Sequence, residues 1–539
     1  MQVWTEKDSA ICKCQYSEKE LVKAIGDYKF NKTNATWVFP LRRLVDIIDN
    51  LKIIFSEETR IIYDKLRKER QEYHEKINLA DKIKSNLCQV DHLDGVDLSM
   101  CYQHQKKAIS LAAMFGSYAL FMEQGTGKSI CAIKLIEYWK VPAMIIAPLS
   151  TLESVWVKEI EKWSQLNFVI LWRNLKEFNN EYDIYLINYE QFRIMHENKI
   201  SLEDKIKCLM IDESAKLKTH NSKISKAVLS YKDKIPYRLV LSGVPAPNDL
   251  LEYHTQMNFV NSEILGDNYF RYRNTFFYSW GYGGYQFKPM KGAKEAIIEN
   301  VSKQAFSIQK IDCLDLPDKV FEIRYSYMDE VQRKAYEMMK KENILEFKDS
   351  TTLAANELAK IMKLRQVTSG ASINIKGIPI WISDTKVNTL KELLEEIPED
   401  KQVIVWLNFH FEIHKLKEEF KETACMLYGE MSQKEKNKSI EDFQNGKYRL
   451  LLAHPLSGGF GVNFQQCCSY VIWFSLSYSS EQHSQANDRI YRIGQKNKCT
   501  YFYIMAKDSI DETIYKVLTQ KTNLFEECLV MLKREKNAR

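Results

Sequence analysis

Apolar and polar positions follow three different rhythms along this chain. Residues 10–55 hold short apolar runs broken by turns. Tyr28–Phe30, an Asn-Lys-Thr-Asn-Ala turn and Thr36–Pro40 predict a hairpin, and Leu44–Leu51 predicts a short helix. Over residues 57–84 the rhythm is helical but charged: 15 of the 28 side chains carry charge of mixed sign, with Ile61, Ile62, Leu66 and Ile77 between them. That pattern predicts a long, solvated connecting helix. From about residue 98 short apolar runs recur at Tyr118–Met122, Ala143–Ala147, Ile184–Ile187, Cys208–Ile211 and Arg238–Leu241, each followed by a polar loop or an amphipathic stretch. Runs apolar on both faces, alternating with helices, predict a parallel sheet with helices on its faces. Residues 260–330 interrupt the alternation with an aromatic, Gly-rich stretch from Tyr269 to Phe287 and then a helical one. The alternation resumes at Val403–Leu407, Arg449–Ala453, Tyr470–Phe474 and Tyr501–Met505. The predicted fold class is α/β: two parallel-sheet lobes, a helical insertion between them, and a small α+β domain in front.

Composition changes this picture little. The chain has 539 residues, 45% hydrophobic and 27% charged, with 19 Gly and 11 Pro, which excludes disordered, collagen-like and low-complexity classes. A formal charge of +6 permits a polyanionic partner without requiring one. No apolar run approaches the ~20 residues of a membrane span, and Glu6, Lys7 and Asp8 replace a signal core, so a cytoplasmic protein without membrane contact is expected. The twelve cysteines include Cys12–Cys14 and Cys467–Cys468 but no paired C-x2-C zinc pattern, so free thiols are expected.

Candidate chemistry begins at YALFMEQGTGKSICAIKLIEYW, residues 118–139, where a buried run meets Gly125-Thr126-Gly127-Lys128-Ser129 and then a helix. Glycines let backbone N–H groups turn toward phosphate oxygens, and the helix N-terminus favours the anion. Lys128 is placed for the β and γ phosphates of ATP and the Ser129 hydroxyl for Mg²⁺. The first glycine of the full pattern would fall at Met122, so the match is partial. Cys208–Ile211 runs into Asp212 and Glu213, a strand-end pair able to hold Mg²⁺ and to orient and deprotonate a water. A third apolar run, Arg238–Leu241, ends in the polar loop Ser242–Asn248. All three loops would lie at carboxyl ends of parallel strands, where open α/β sheets bind ligands. Far downstream, QANDRIYRIGQ spaces Arg489 and Arg492 three apart, on one helical face, as candidate arginine fingers. Ser457–Asn463, with Gly458, Gly459 and Gly461, permits close backbone approach to a ligand.

These pieces, in this order over residues 98–520, resemble superfamily-two helicase-like ATPases, and among them the Swi/Snf family of double-stranded DNA translocases. The resemblance implies two RecA-like lobes, with Lys128, Asp212, Glu213, Arg489 and Arg492 as catalytic groups and ATP and Mg²⁺ as cofactors. Gln105, in Leu98–Leu111, looks like the adenine contact, and Gly125, Thr126, Gly127, Lys128, Ser129 and Gly461 are the implied nucleotide contacts. Ile145–Trp163 and Tyr185–Phe192 are similar to motifs that lie along DNA, which nominates Ser150 and Tyr189, with Ser457 and Gly458 from the second lobe. Leu314-Asp315-Leu316-Pro317 and Leu364-Arg365-Gln366 resemble family landmarks between the lobes. One departure stands out. The acid box reads D-E-S-A where D-E-A-H is usual, so Ala215 cannot supply the side chain that often links hydrolysis to the other lobe.

Residues 15–51 are similar to the HARP-like substrate-recognition module of annealing helicases, through Tyr28, Phe30, Asn31–Asn34, Trp37, Phe39 and Pro40. Trp37, Arg42 and Arg43 are its candidate DNA contacts, a stacking ring beside cations. The expected layout is 1–56 for this module, 57–97 a charged helical linker, 98–262 the ATP-binding lobe, 263–380 the insertion and start of the second lobe, and 381–539 the second lobe. The expected function is ATP-dependent translocation on double-stranded or forked DNA by a monomer, remodelling or annealing without processive unwinding. The alternative is a nucleotide-gated scaffold or defence factor with weak DNA coupling.

Overall fold

The computed structural model describes residues 1–520 apart from 27, 52, 89–91, 172–173, 218, 247–248, 281–285, 314–315, 342–349, 374–377 and 459–461. Two compact units emerge, Met1–Val90 and Asp91–Arg539.

The N-terminal unit is a five-stranded mixed sheet in the order β3-β4-β2-β1-β5, formed by β1 (Gln2–Glu6), β2 (Ser9–Lys13), β3 (Lys29–Asn31), β4 (Thr36–Pro40) and β5 (Ile54–Phe55). The predicted hairpin is β3–β4, antiparallel with Phe30 opposite Trp37. The predicted short helix is Leu44–Asn50, and the charged stretch forms one helix, Glu57–Lys84. Ser56 caps that helix by accepting from the Thr59 N–H. Only one stripe of it is buried: Tyr63 packs into the unit's core, and its hydroxyl donates to Asp49 at 2.5 Å.

The second unit holds two all-parallel sheets. The first runs β14-β6-β11-β10-β7-β9-β8, from β6 (Ser117–Met122), β7 (Ala143–Ala147), β8 (Phe168–Ile170), β9 (Ile184–Asn188), β10 (Cys208–Asp212), β11 (Tyr237–Leu241) and β14 (Ala305–Ile308). A hairpin, β12 (Phe277–Trp280) with β13 (Gln286–Pro289), stands apart from this sheet as its own two-stranded ribbon. The second large sheet runs β15-β22-β21-β18-β20-β19, from β15 (Lys319–Ser326), β18 (Gln402–Trp406), β19 (Ala424–Leu427), β20 (Leu450–Ala453), β21 (Cys468–Trp473) and β22 (Cys499–Ala506), with β16 (Ala371–Ile373) and β17 (Pro379–Trp381) forming a small ribbon beside it. Strands β6, β7 and β9 are buried along their whole length, which is what coverage on both faces requires.

Residues 263–380, expected as the insertion and the start of the second lobe, contribute a strand to each large sheet. β14 pairs with β6, and β15 pairs with β22 over eight residues. Both are edge strands. β14 is four residues long, and β15 mixes Lys319, Glu322 and Arg324 with its apolar positions, so neither shows the continuous apolar run of a central strand.

Candidate active site

Strand order assembles the site. β6, β11 and β10 are neighbours, so the phosphate loop, the Ser242 loop and the acid pair emerge side by side at one sheet end. Gly125 and Gly127 adopt φ of +79° and +93°, a left-handed backbone that side chains resist. Gly127 then caps the helix Lys128–Trp139. A Cβ on Gly127 would meet Gln105 Nε2 at 2.1 Å.

Gln105 lies beneath the loop. It is 3% exposed, its Nε2 donates to the Thr126 carbonyl at 3.0 Å, and its Oε1 accepts from the Tyr102 N–H at 2.9 Å. His104 Nε2 lies 2.8 Å from the same Thr126 carbonyl. Both ends of the Gln105 amide are thus engaged by protein, and the residue buttresses the phosphate loop. Lys128 turns back onto the loop, donating to the carbonyls of Met122 at 2.8 Å and Glu123 at 3.3 Å. Burial pulls its ammonium below the ordinary range, with Glu213 and Asp212 opposing the shift. Ser129 opens the same helix with its side chain half-buried.

Asp212 accepts from Trp156 Nε1 at 2.9 Å through one oxygen and from the Glu213 N–H at 3.0 Å through the other. Burial, then the neighbouring Glu213, pushes its carboxyl up to about 6. Glu213 sits at φ +53°, a strained position for a side-chain-bearing residue of the kind functional sites retain. Tyr189, expected along DNA, is instead buried under the acid pair, its hydroxyl donating to the Asp212 carbonyl at 2.5 Å. The helix that begins at Tyr189 carries its ring inward, which explains the displacement.

The second lobe completes the site. Arg492 Cγ lies 3.1 Å from where a Cβ on Gly125 would stand. Its Nε donates to the Asp488 carbonyl at 2.9 Å, and its guanidinium reaches Asn463. Arg489 is 4% exposed and donates to the Val462 carbonyl at 3.3 Å, while its buried Nε meets no partner among the described residues. Burial and Arg492 pull its guanidinium down to about 9. Two desolvated guanidiniums beside a phosphate loop, one with an orphaned N–H, fit an anion such as the ATP phosphates. The Ser129 hydroxyl and the Asp212 carboxylate are hard oxygen donors of the kind Mg²⁺ takes.

Sequence reasoning missed three contributors. Trp156 orients Asp212 from within a π-helical turn, Leu152–Val157. Lys310 follows β14, the edge strand whose brevity hid it, and bridges the lobes: it donates to the Tyr491 carbonyl at 3.1 Å and pairs with Asp488. Gln256, on the helix Tyr253–Val260, accepts from Ser214 Oγ at 2.7 Å and donates to the Pro245 carbonyl at 2.6 Å. Of the remaining expected contacts, Ser150 is exposed and Ser457 half-buried. Gly458 ends the short helix Pro455–Gly458. Gly461, Leu314 and Asp315 lie outside the described residues. In the N-terminal unit Trp37 is 7% exposed, with Tyr28 and Phe30 each 4.8 Å from it between ring centroids. Its ring is spent on the unit's own core and is not offered to a base. Arg43 pairs with Asp46 at 2.9 Å, and Arg42 is half-buried. Among the described residues eleven cysteines are free, no cluster of His, Cys, Asp and Glu suits a metal, and no helix is long and apolar enough to cross a membrane.

A phosphate loop and acid pair on one parallel sheet, met by paired arginines from a second, define a helicase-like ATPase of superfamily two. The chain belongs to the SNF2-related family: the SNF2-related domain matches residues 40–372, and the helicase conserved C-terminal domain matches residues 385–494. Protein p41 of Acyrthosiphon pisum secondary endosymbiont phage 1 is 26% identical over 447 residues, 76% of this chain and 94% of that one. An uncharacterized ATP-dependent helicase of Mycoplasma genitalium is 27% identical over 461 residues, 81% of this chain but 43% of its own length. The SWI2/SNF2 ATPase core of Sulfolobus solfataricus, solved with dsDNA, is 24% identical at a TM-score of 0.39, covering 81% of this chain and 94% of that one. The chain thus spans nearly all of the phage protein and under half of the mycoplasma helicase.

Proposed function

We propose that this chain is a DNA-stimulated, Mg²⁺-dependent ATPase that translocates on double-stranded or branched DNA, remodelling or annealing it without processive unwinding. The observation that supports this reading most is Arg492 of one lobe seated against Gly125 of the other, because hydrolysis controlled by lobe closure needs that junction. Lys128 holds the β and γ phosphates, Ser129 and Asp212 hold Mg²⁺, and Gln105 keeps the loop in shape beside the adenine. The metal, when bound, neutralises charge developing between the β and γ phosphates. Glu213 orients the attacking water and accepts its proton. Arg489 and Arg492 stabilise the charge on the transferring phosphoryl group.

DNA would lie along Ser150 on the first lobe and Ser457 with Gly458 on the second, and opening after hydrolysis would move one lobe along the backbone. Residues 1–56 act as the HARP-like recognition module, with Arg42 and Arg43 as phosphate contacts, and 57–97 as its helical linker. The protein works as a monomer in the cytoplasm of a bacterial or phage-infected cell. The test is ATP hydrolysis by the full chain with no DNA, blunt duplex, single strand and forked DNA. Duplex or forked DNA raises the rate if the reading is right, and no response to any DNA overturns it.

A further inference from the structure

The aromatic stretch that interrupts the first lobe has no part in the ATP site. From Asn268 to Lys294 the chain carries Arg271, Arg273, Lys288, Lys291 and Lys294 and no acidic residue. In a chain with 77 basic and 71 acidic residues, an acid-free stretch with five cations is a marked local excess. Much of it folds into the β12–β13 hairpin, which pairs Tyr278 with Lys288 and Trp280 with Gln286. Alternation along a strand puts these four side chains on one face. That face is open: Tyr278 is 46% exposed and Trp280 43%, and Lys288 and Gln286 are exposed as well. The opposite face is the anchored one, with Phe277 buried at 2% and Arg273 stacked 4.3 Å over the Phe287 ring. Lys288 Nζ lies 3.3 Å from the centre of the Trp280 ring, so the cation and the ring form one composite surface.

We propose that this hairpin face is a nucleic-acid contact that stacks on unpaired bases next to the duplex. The proposal rests on the DNA-translocase reading and sharpens it to a substrate class. Cations alone would suit duplex phosphates. Two outward aromatic rings add something a duplex cannot use, because paired bases present their faces only to one another. Unpaired bases at a fork or tail have free faces, and stacking on Trp or Tyr beside a cation is how single strands are held. The absence of acidic side chains fits a polyanion and disfavours a basic partner.

The test compares affinity of the full chain for blunt duplex and for the same duplex with a single-stranded tail, by fluorescence anisotropy. The wild-type chain should prefer the tailed DNA. In Tyr278→Ala/Trp280→Ala the ratio should fall about tenfold, toward one. Tyr278→Phe/Trp280→Phe keeps the rings and should keep the ratio, which separates stacking from a folding defect. An unchanged ratio in the alanine variant, or equal loss on both DNAs, overturns the hairpin's role while leaving the translocase reading intact. If the wild-type chain binds neither DNA and its ATPase ignores both, the translocase reading falls and the hairpin contact with it.

Discussion

Lys310 and Asp488 form a buried ion pair at 2.6 Å that joins the two lobes beside the phosphate loop. Lys310 belongs to the first sheet's side, where its own N–H donates at 2.7 Å to Glu123, the residue that leads from β6 into the loop. Asp488 ends the helix Ser480–Asn487 and precedes both arginines. The pair therefore couples the root of the phosphate loop to the segment that carries Arg489 and Arg492. Breaking a buried pair by removing one partner costs about 3–5 kcal/mol, whereas replacing both with apolar groups is often near neutral. Lys310→Met should lower ATP turnover at least tenfold with a smaller loss of nucleotide affinity. Lys310→Met/Asp488→Leu should recover part of that turnover, and a double-mutant cycle on kcat measures the coupling.

Ser214 and Gln256 suggest how the missing box histidine is replaced. Ser214 Oγ donates to Gln256, and Gln256 donates to Pro245 in the loop after β11, with both side chains fully buried. This bridge ties the acid pair to the loop after β11 within one lobe. Gln256→Leu should leave DNA-free hydrolysis within a few-fold of wild type and sharply reduce its stimulation by DNA. Steady-state rates with and without duplex check this. Ser214→Ala leaves a buried acceptor unpaired and should also lower thermal stability, by about 1–3 kcal/mol.

Gly127 has no room for a side chain. Alanine there would strain a φ of +93° and drive its Cβ to 2.1 Å from Gln105 Nε2. Gly127→Ala should weaken binding of a fluorescent ATP analogue at least tenfold. Adding Gln105→Ala removes the clash but not the backbone strain, so affinity should return only in part.

Two histidines make the lobes acid-sensitive, His254 buried and His483 half-buried. Burial pulls His254, in the first lobe, and His483, in the second, down to about 4. The unfolded chain, near the ordinary 6.5, then binds more protons, so stability is full above that value and is lost as pH falls from 6.5 toward 4. Each histidine accounts for up to about 3 kcal/mol over that window. Thermal unfolding followed from pH 7.5 to 4.5 should show the loss, and His254→Phe, which keeps an aromatic ring beside Tyr272, should flatten it.

The central strands were legible because burial on both faces leaves an unbroken apolar run, and their loops carried the chemistry of Lys128, Asp212 and Glu213. The two arginines were nominated by their spacing together with the family resemblance, because an R-x-x-R spacing by itself marks many surface faces. β14 and β15 were not, because edge strands are short or charged, and Lys310 was lost with β14. Gln256 and Trp156 sit inside helical stretches where a polar or aromatic residue reads as ordinary. Tyr189 and Trp37 were misread for one reason. A strip of sequence names a ring but not the direction it faces, and both rings turn inward to brace a neighbour.

The central claim is that one ATPase site, built from both lobes, is driven by DNA. Its most direct test is steady-state ATP hydrolysis by the full chain, titrated with duplex DNA, beside Glu213→Gln and Arg492→Ala. DNA should raise the wild-type rate several-fold, and both variants should fall to background at every DNA concentration. A wild-type rate indifferent to DNA, or an Arg492→Ala variant as active as wild type, would contradict the account.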